Sequence, residues 1–180
     1  MKSKYRQVYS EAQIRSRVEE MGKEISAGYS SSTPIIAVCV IKGAVIFYAD
    51  LVKAIKDRDV RFGFVSASSY YTAEGVMKSS GTINLKYSTL SEEEIIGADV
   101  LIVEDIIYTG RTLKALKAYF FEKGARSVKI ATLLNKPACR VVDIEPDYTA
   151  FTLTNNAYII GYGLDNAQMY RNLDGVYEII

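Results

Sequence analysis

The 180 residues are 49% apolar and 24% charged, and 22 basic side chains nearly balance 21 acidic ones for a formal charge of +1. A chain of this length is expected to form one domain over 1–180 with a buried core, and its near-neutrality excludes a strongly basic nucleic-acid coat. It contains no histidine, which excludes histidine zinc sites, Ser-His-Asp triads and histidine general bases.

Met1 to Arg6 is basic but no apolar stretch follows it, so no secretory signal is expected. Ser10 with Gln13 three residues later reads as a capping box, and Ile14, Val18, Met21 and Ile25 then mark one stripe of an amphipathic helix. Ile35 to Ile41 is a short apolar run of the kind buried on both faces in a strand, and Ala44 to Lys56 carries apolar residues at helical spacing. Arg61 to Ala67 is the next strand. The alternation repeats with a strand over Val100 to Ile107, a helix over Arg111 to Lys123 closed by Gly124, and a strand over Ser127 to Leu134. The predicted fold class is therefore α/β, a parallel sheet flanked by helices on both faces. Between the two repeats, Ser66 to Gly81 is rich in Ser, Thr, Tyr and Gly and reads as a flexible flap, with a half-exposed strand over Gly81 to Ser88 after it. A plain surface loop fits the same composition. The last part of the chain, 148–180, holds short strands (Tyr148 to Leu153, Tyr158 to Tyr162, Val176 to Ile180) and is expected to form a small hood. Two cysteines, Cys39 and Cys139, cannot frame a disulfide scaffold and suit a reducing cytoplasm. No apolar run approaches the ~20 residues of a membrane span, so a cytoplasmic protein without membrane attachment is expected.

Chemistry concentrates in Val100-Leu-Ile-Val-Glu104-Asp105-Ile-Ile-Tyr108-Thr109-Gly110-Arg111-Thr112. A buried strand ends in two adjacent acids, and a short turn opens a helix. Ligands of open α/β sheets bind beyond the carboxyl ends of strands, and a helix N-terminus there suits a phosphate. Thr109 and Thr112 add hydroxyl donors, and Gly110 lets the backbone come close. Ionised carboxylates only accept hydrogen bonds, so Glu104 and Asp105 suit the hydroxyls of a sugar beside that phosphate. The plainer reading is that the acids only cap the helix. The stretch lacks the spacing of a Walker A loop, and Gly161-Tyr-Gly163 does not complete a dinucleotide fingerprint.

Val103-Glu104-Asp105-Ile-Ile-x-Thr109-Gly110-x-Thr112 resembles the phosphoribosyl pyrophosphate signature of type I phosphoribosyltransferases. Four further segments resemble the hypoxanthine-guanine branch of that family in the same order: Ile41-Lys42-Gly43, Ser69-Tyr70, Leu134-Asn135-Lys136-Pro137, and Tyr158 to Asp165 followed by Tyr170-Arg171-Asn172-Leu173. The resemblance implies Mg²⁺-dependent transfer of 5-phosphoribose from phosphoribosyl pyrophosphate to hypoxanthine or guanine, giving IMP or GMP and pyrophosphate, in a homodimer or homotetramer. It implies that Glu104 and Asp105 hold the ribose hydroxyls and help hold metal, and that Thr109, Gly110, Arg111 and Thr112 cradle the 5′-phosphate. Lys42 and Gly43 would meet pyrophosphate, with a cis bond before Lys42, and Arg171 would reach it too. Lys136, Tyr158 and Ile159 would bind the base, Asp165 would hold Mg²⁺, and Ser69 and Tyr70 would belong to the flap. For Asp165 and Arg171 a structural ion pair is the competing reading.

Two positions depart from the family pattern. Tyr108 stands where the family usually has a catalytic aspartate, and a neutral phenol is a poor proton acceptor, so a slowed reaction is expected. Asn155-Asn156-Ala157 replaces a segment that more often holds a proline and an acid, leaving base preference open. Tyr108 to Thr112 is also similar to bacterial pyrimidine-operon attenuation proteins, which bind RNA and transfer phosphoribose to uracil. That rival, and a catalytically inactive nucleotide-binding homologue, stand beside the purine reading; near-zero net charge makes a nucleic-acid partner the weaker expectation.

Overall fold

The computed structural model describes residues 4–29, 33–69, 83–155 and 157–180. In chain order they form β1 (Tyr5–Tyr9), α1 (Glu11–Gly28), β2 (Ile35–Val40), α2 (Val45–Ala54), β3 (Val60–Ser69), β4 (Ile83–Ser88), α3 (Glu92–Ile95), β5 (Asp99–Ile107), α4 (Arg111–Glu122), β6 (Ser127–Asn135), β7 (Tyr148–Thr152), β8 (Ile159–Ile160) and β9 (Val176–Ile179). The main sheet has the order β4-β3-β2-β5-β6-β7, parallel throughout except for the antiparallel edge strand β4.

Why the strands read as unbroken apolar runs is visible in their alternation. Ile35, Ala37 and Cys39 of β2, with Leu101 and Val103 of β5, face one core beneath α1 and α2. Ile36, Val38, Val40, Val100 and Ile102 face a second core under Leu113, Leu116 and Phe120 of α4. Both faces are covered, so neither set of side chains can be polar. The expected capping box is present: the Gln13 N–H donates to Ser10 Oγ at 3.3 Å and the Ser10 N–H to Gln13 Oε1 at 2.9 Å. Ile14, Val18, Met21 and Ile25 are all buried. Gly124 follows α4 with φ of 89°, a conformation that side chains with a Cβ rarely adopt.

Three boundaries differ from expectation. Ser68 and Ser69, expected in the polar flap beyond a strand ending at Ala67, continue β3, because the backbone ladder with β4 (Ser66 opposite Tyr87, Ser69 opposite Ile83) carries the strand through them. The remainder of the expected flap, including Tyr70, lies outside the described residues. Tyr148–Thr152, grouped with the hood, instead extends the main sheet through parallel pairing with β6. The smaller sheet is β1-β9-β8, so its first strand comes from the N-terminal segment, paired antiparallel to β9 and tied by an Arg6–Glu178 ion pair at 2.6 Å.

Chain direction fixes where a ligand can sit. From β2 the chain moves outward to β3 and later returns to place β5 on the other side of β2, so the strand order reverses between β2 and β5. The carboxyl ends of those two strands open a crevice at this switch point, the usual binding position in such sheets. No helix among the described residues is long and apolar enough to cross a membrane.

Candidate active site

At the end of β2 the Ile41–Lys42 peptide is cis, as the resemblance implies. Gly43 follows it, against the end of β5. A Cβ at Gly43 would collide with the Asp105 carboxylate, and a Cβ at Gly163 would collide with the Gly43 carbonyl. Glycine at these two positions is what lets three backbone segments meet on one carboxylate.

Glu104 and Asp105 share the end of β5, partly buried. Burial, then repulsion by Asp105, holds the Glu104 carboxyl well above the usual carboxylate range. Burial raises Asp105 too, while hydrogen bonding and the charge of Arg171 act in the opposite direction. The Ile106 N–H donates to Asp105 Oδ1 at 2.7 Å, fixing one oxygen. Two adjacent carboxylates in this state favour hydroxyl donors or a cation, either of which relieves the repulsion.

Beyond them the chain turns through Tyr108 and Thr109 into α4. Gly110 is the N-cap with φ of 78°, offers no side chain to cap the helix, and the first turn contains no acid. The Arg111 N–H donates to Thr109 Oγ1 at 3.4 Å. The first turn thus brings no carboxylate of its own to the positive end of the helix, an arrangement that favours an anion. Arg111 and Thr112 open this first turn, so all four expected phosphate residues lie together.

One residue was missed by sequence reasoning. Arg140 donates through Nη1 to the Tyr108 carbonyl at 2.6 Å and through Nη2 to Asn135 Oδ1 at 2.5 Å. The Val141 N–H donates to the Thr109 carbonyl at 3.2 Å. Arg140 thus ties the turn after β5 to the end of β6. An arginine five residues beyond a strand end carries no local signal of this; only the fold brings it back.

The base side is assembled from separated segments. Lys136 follows β6 and is only 2% exposed. Its ammonium donates to the Ala157 carbonyl at 2.6 Å and stands 5.0 Å from the centroid of the Tyr108 ring. Burial lowers its pKa, partly opposed by nearby Cys139. Tyr158 is 54% exposed, and its hydroxyl donates to the Asp165 carbonyl at 3.2 Å. Ile159 is buried and pairs with β9. An exposed ring held by its own hydroxyl is not how core aromatics are placed.

Asp165 and Arg171 realise the competing reading: Arg171 Nη2 pairs with Asp165 Oδ1 at 2.7 Å, and Nη1 donates to the Gly163 carbonyl at 2.7 Å. The other oxygen, Asp165 Oδ2, accepts the Gln168 N–H at 2.8 Å. Both side chains remain about a quarter exposed, at 27% and 25%. Four non-glycine residues of this loop, Tyr162, Ala167, Gln168 and Tyr170, have positive φ. Such backbone concentrates at functional sites, and no sequence pattern announced it. Ser69 ends β3. Among the described residues no three acids, cysteines or histidines gather as a ready-made metal site.

A groove of about 800 Å³ lies elsewhere, between α1, α2 and the segment around Leu173. Of the loop residues just named, Tyr162, whose hydroxyl donates to Asp50 at 2.7 Å, forms part of its wall.

Comparison with known proteins converges on one group. The phosphoribosyl transferase domain model matches residues 4–167. The hypoxanthine-guanine phosphoribosyltransferase of Streptococcus pneumoniae is 46% identical over 164 residues, 91% of this chain and 87% of that protein. A crystal structure of the Bacillus anthracis hypoxanthine-guanine phosphoribosyltransferase superposes with a TM-score of 0.85 at 35% identity, covering 99% of this chain and 98% of the other. The hypoxanthine phosphoribosyl transferase of Trypanosoma cruzi gives a TM-score of 0.88 at 34% identity, over 100% and 93% of the two chains.

Proposed function

Because the chain belongs to the phosphoribosyl transferase domain family, in its hypoxanthine-guanine branch, we propose that it is a purine-salvage enzyme joining 5-phosphoribose from phosphoribosyl pyrophosphate to hypoxanthine or guanine. The observation that carries this reading is the convergence, at one switch-point crevice, of a carboxylate pair, a helix N-terminus with no acid in its first turn and a buried lysine beside a half-exposed aromatic ring.

Each part has a physical role. Glu104 and Asp105 accept the ribose hydroxyls, and their negative charge favours the oxocarbenium character that develops as the glycosidic bond breaks. Thr109, Gly110, Arg111 and Thr112 bind the 5′-phosphate with the start of α4. Lys42, Gly43 and Arg171 face the pyrophosphate. Lys136 donates to the purine oxygen while Tyr158 stacks on the base and Ile159 meets its edge.

The donor chemistry fits Mg²⁺. Asp165 and the Glu104–Asp105 pair are hard oxygen ligands, and their small number suits an ion that takes most of its shell from substrate oxygens and water. Bound Mg²⁺ supplies positive charge against the departing pyrophosphate. With Asp165 turned to the metal, Arg171 would be free to pair with pyrophosphate. Tyr108 is the weak point: burial pushes its phenol above the ordinary value, so it takes no proton near neutrality and the step is slower than with a carboxylate. A reducing cytoplasm and assembly as a homodimer or homotetramer complete the reading.

A product assay with phosphoribosyl pyrophosphate, Mg²⁺ and each of hypoxanthine, guanine, xanthine and uracil tests it. IMP or GMP is the expected product. UMP alone would transfer the chain to the RNA-binding regulators, and no product with any base would make it an inactive homologue.

A further inference from the structure

We propose that the Tyr108 ring is a positioning element for Lys136, holding the ammonium toward the base by its π face where a carboxylate would hold it by charge. The inference rests on the purine reading of the crevice.

Register brings the two residues together. Ile106 lies opposite Leu134 and Ile107 opposite Asn135, and the Lys136 N–H donates to the Ile107 carbonyl at 3.1 Å as the last rung of the ladder. Tyr108 and Lys136 therefore leave β5 and β6 side by side, and Arg140 pins this exit through the Tyr108 carbonyl and Asn135. At 2% exposure the lysine has lost nearly all its water, yet an ammonium has three donors to satisfy. The Ala157 carbonyl takes one at 2.6 Å. The Tyr108 ring centroid, 5.0 Å away, is a negative surface within cation–π range.

The ring is not there as core filling. Tyr108 is 38% exposed, so its removal costs little packing, whereas the lysine it faces is buried. Loss of the ring leaves the ammonium, already on the Ala157 carbonyl, without its second partner, and its aim toward the base loosens. The phenol hydroxyl is dispensable in this role, which separates it from any proton-transfer role.

The test compares wild type, Tyr108→Phe and Tyr108→Leu in steady-state kinetics with hypoxanthine and phosphoribosyl pyrophosphate. Phe keeps the π face, so its KM for hypoxanthine stays at the wild-type value. Leu keeps bulk without the face, and its KM for hypoxanthine rises about fivefold to thirtyfold while the KM for phosphoribosyl pyrophosphate and the Tm stay put. In a Lys136→Met background the difference between Phe and Leu disappears. Equal KM values for Phe and Leu, or a Leu variant that loses both KM values and Tm together, would overturn the proposal. If wild type uses no purine at all, the functional reading fails instead. The pair is then judged by the Lys136 side-chain methylene protons, shifted upfield by the ring in wild type and Phe but not in Leu; no such shift overturns it too.

Discussion

The two halves of the crevice are built in opposite ways. The half proposed for the ribose phosphate comes from one contiguous stretch, Glu104 to Thr112, and is only lightly compensated: two carboxylates repel each other and the first turn of a helix holds no acid. The base half is gathered from three separate places and is internally compensated, with Lys136 on the Ala157 carbonyl and the Tyr158 hydroxyl on the Asp165 carbonyl. A ligand entering the first half relieves repulsion; one entering the second must replace contacts already made. Affinity on this account comes chiefly from the ribose phosphate, and discrimination among bases from the other side.

The largest effect that would break this contrast is at Asp105. Asp105→Asn keeps the shape and removes the charge, and kcat/KM should fall about 10²–10³-fold, as for loss of one preorganised electrostatic group. An activity near wild type in steady-state assay would show that the charge is not used. Next comes Tyr108→Asp, which places a proton acceptor beside the base and should raise kcat for hypoxanthine at least about tenfold. An unchanged or lower kcat would mean that the tyrosine is no lesion.

Arg140→Met sharpens the comparison, because Arg140 joins the two halves. It leaves the Tyr108 carbonyl and the Asn135 side chain without their donor, which should cost about 1–3 kcal/mol in urea denaturation. The KM for phosphoribosyl pyrophosphate should rise with it, since the phosphate turn is no longer held.

A smaller effect runs in the opposite direction. The raised Glu104 carboxyl contributes stability that is fully present below its ordinary value of 4.5 and is lost as pH rises through its native value. Glu104→Gln removes that loss. The variant should therefore match wild type in acid and exceed it in Tm toward neutral pH, by roughly 2–4 °C for each kcal/mol of repulsion relieved. A variant that melts lower at pH 7 would show that the pair is already stabilised in the empty protein.

How much of this was legible follows from the same contrast. The ribose-phosphate half could be read because its chemistry is contiguous and its frame, strand then helix, has its own periodicity. So could the capping box at Ser10. A second box, Ser91 with Glu94, has the same spacing and was passed over, because the helix it starts is only four residues long and shows no apolar stripe. β1 could not be read at all: its partner is β9, and nothing within Tyr5 to Tyr9 encodes a strand formed with residues at the far end of the chain. Ser68 and Ser69 misled because polar residues can take part in a backbone ladder as well as apolar ones can. The positions of Lys136 and Tyr158 were found through family resemblance. Their partners, Tyr108 beneath the ammonium, Arg140 behind the turn and the Ala157 and Asp165 carbonyls, depend on strand register and loop geometry that local composition does not determine.

Thermal-shift titration with purine and pyrimidine nucleoside monophosphates tests the central claim most directly. GMP or IMP at a hundred times its Kd should stabilise the protein by about 2.7 kcal/mol, with UMP giving no shift at the same concentration and Asp105→Asn weakening the response. Stabilisation by UMP and not by GMP or IMP, or a response to GMP that Asp105→Asn leaves untouched, would contradict it.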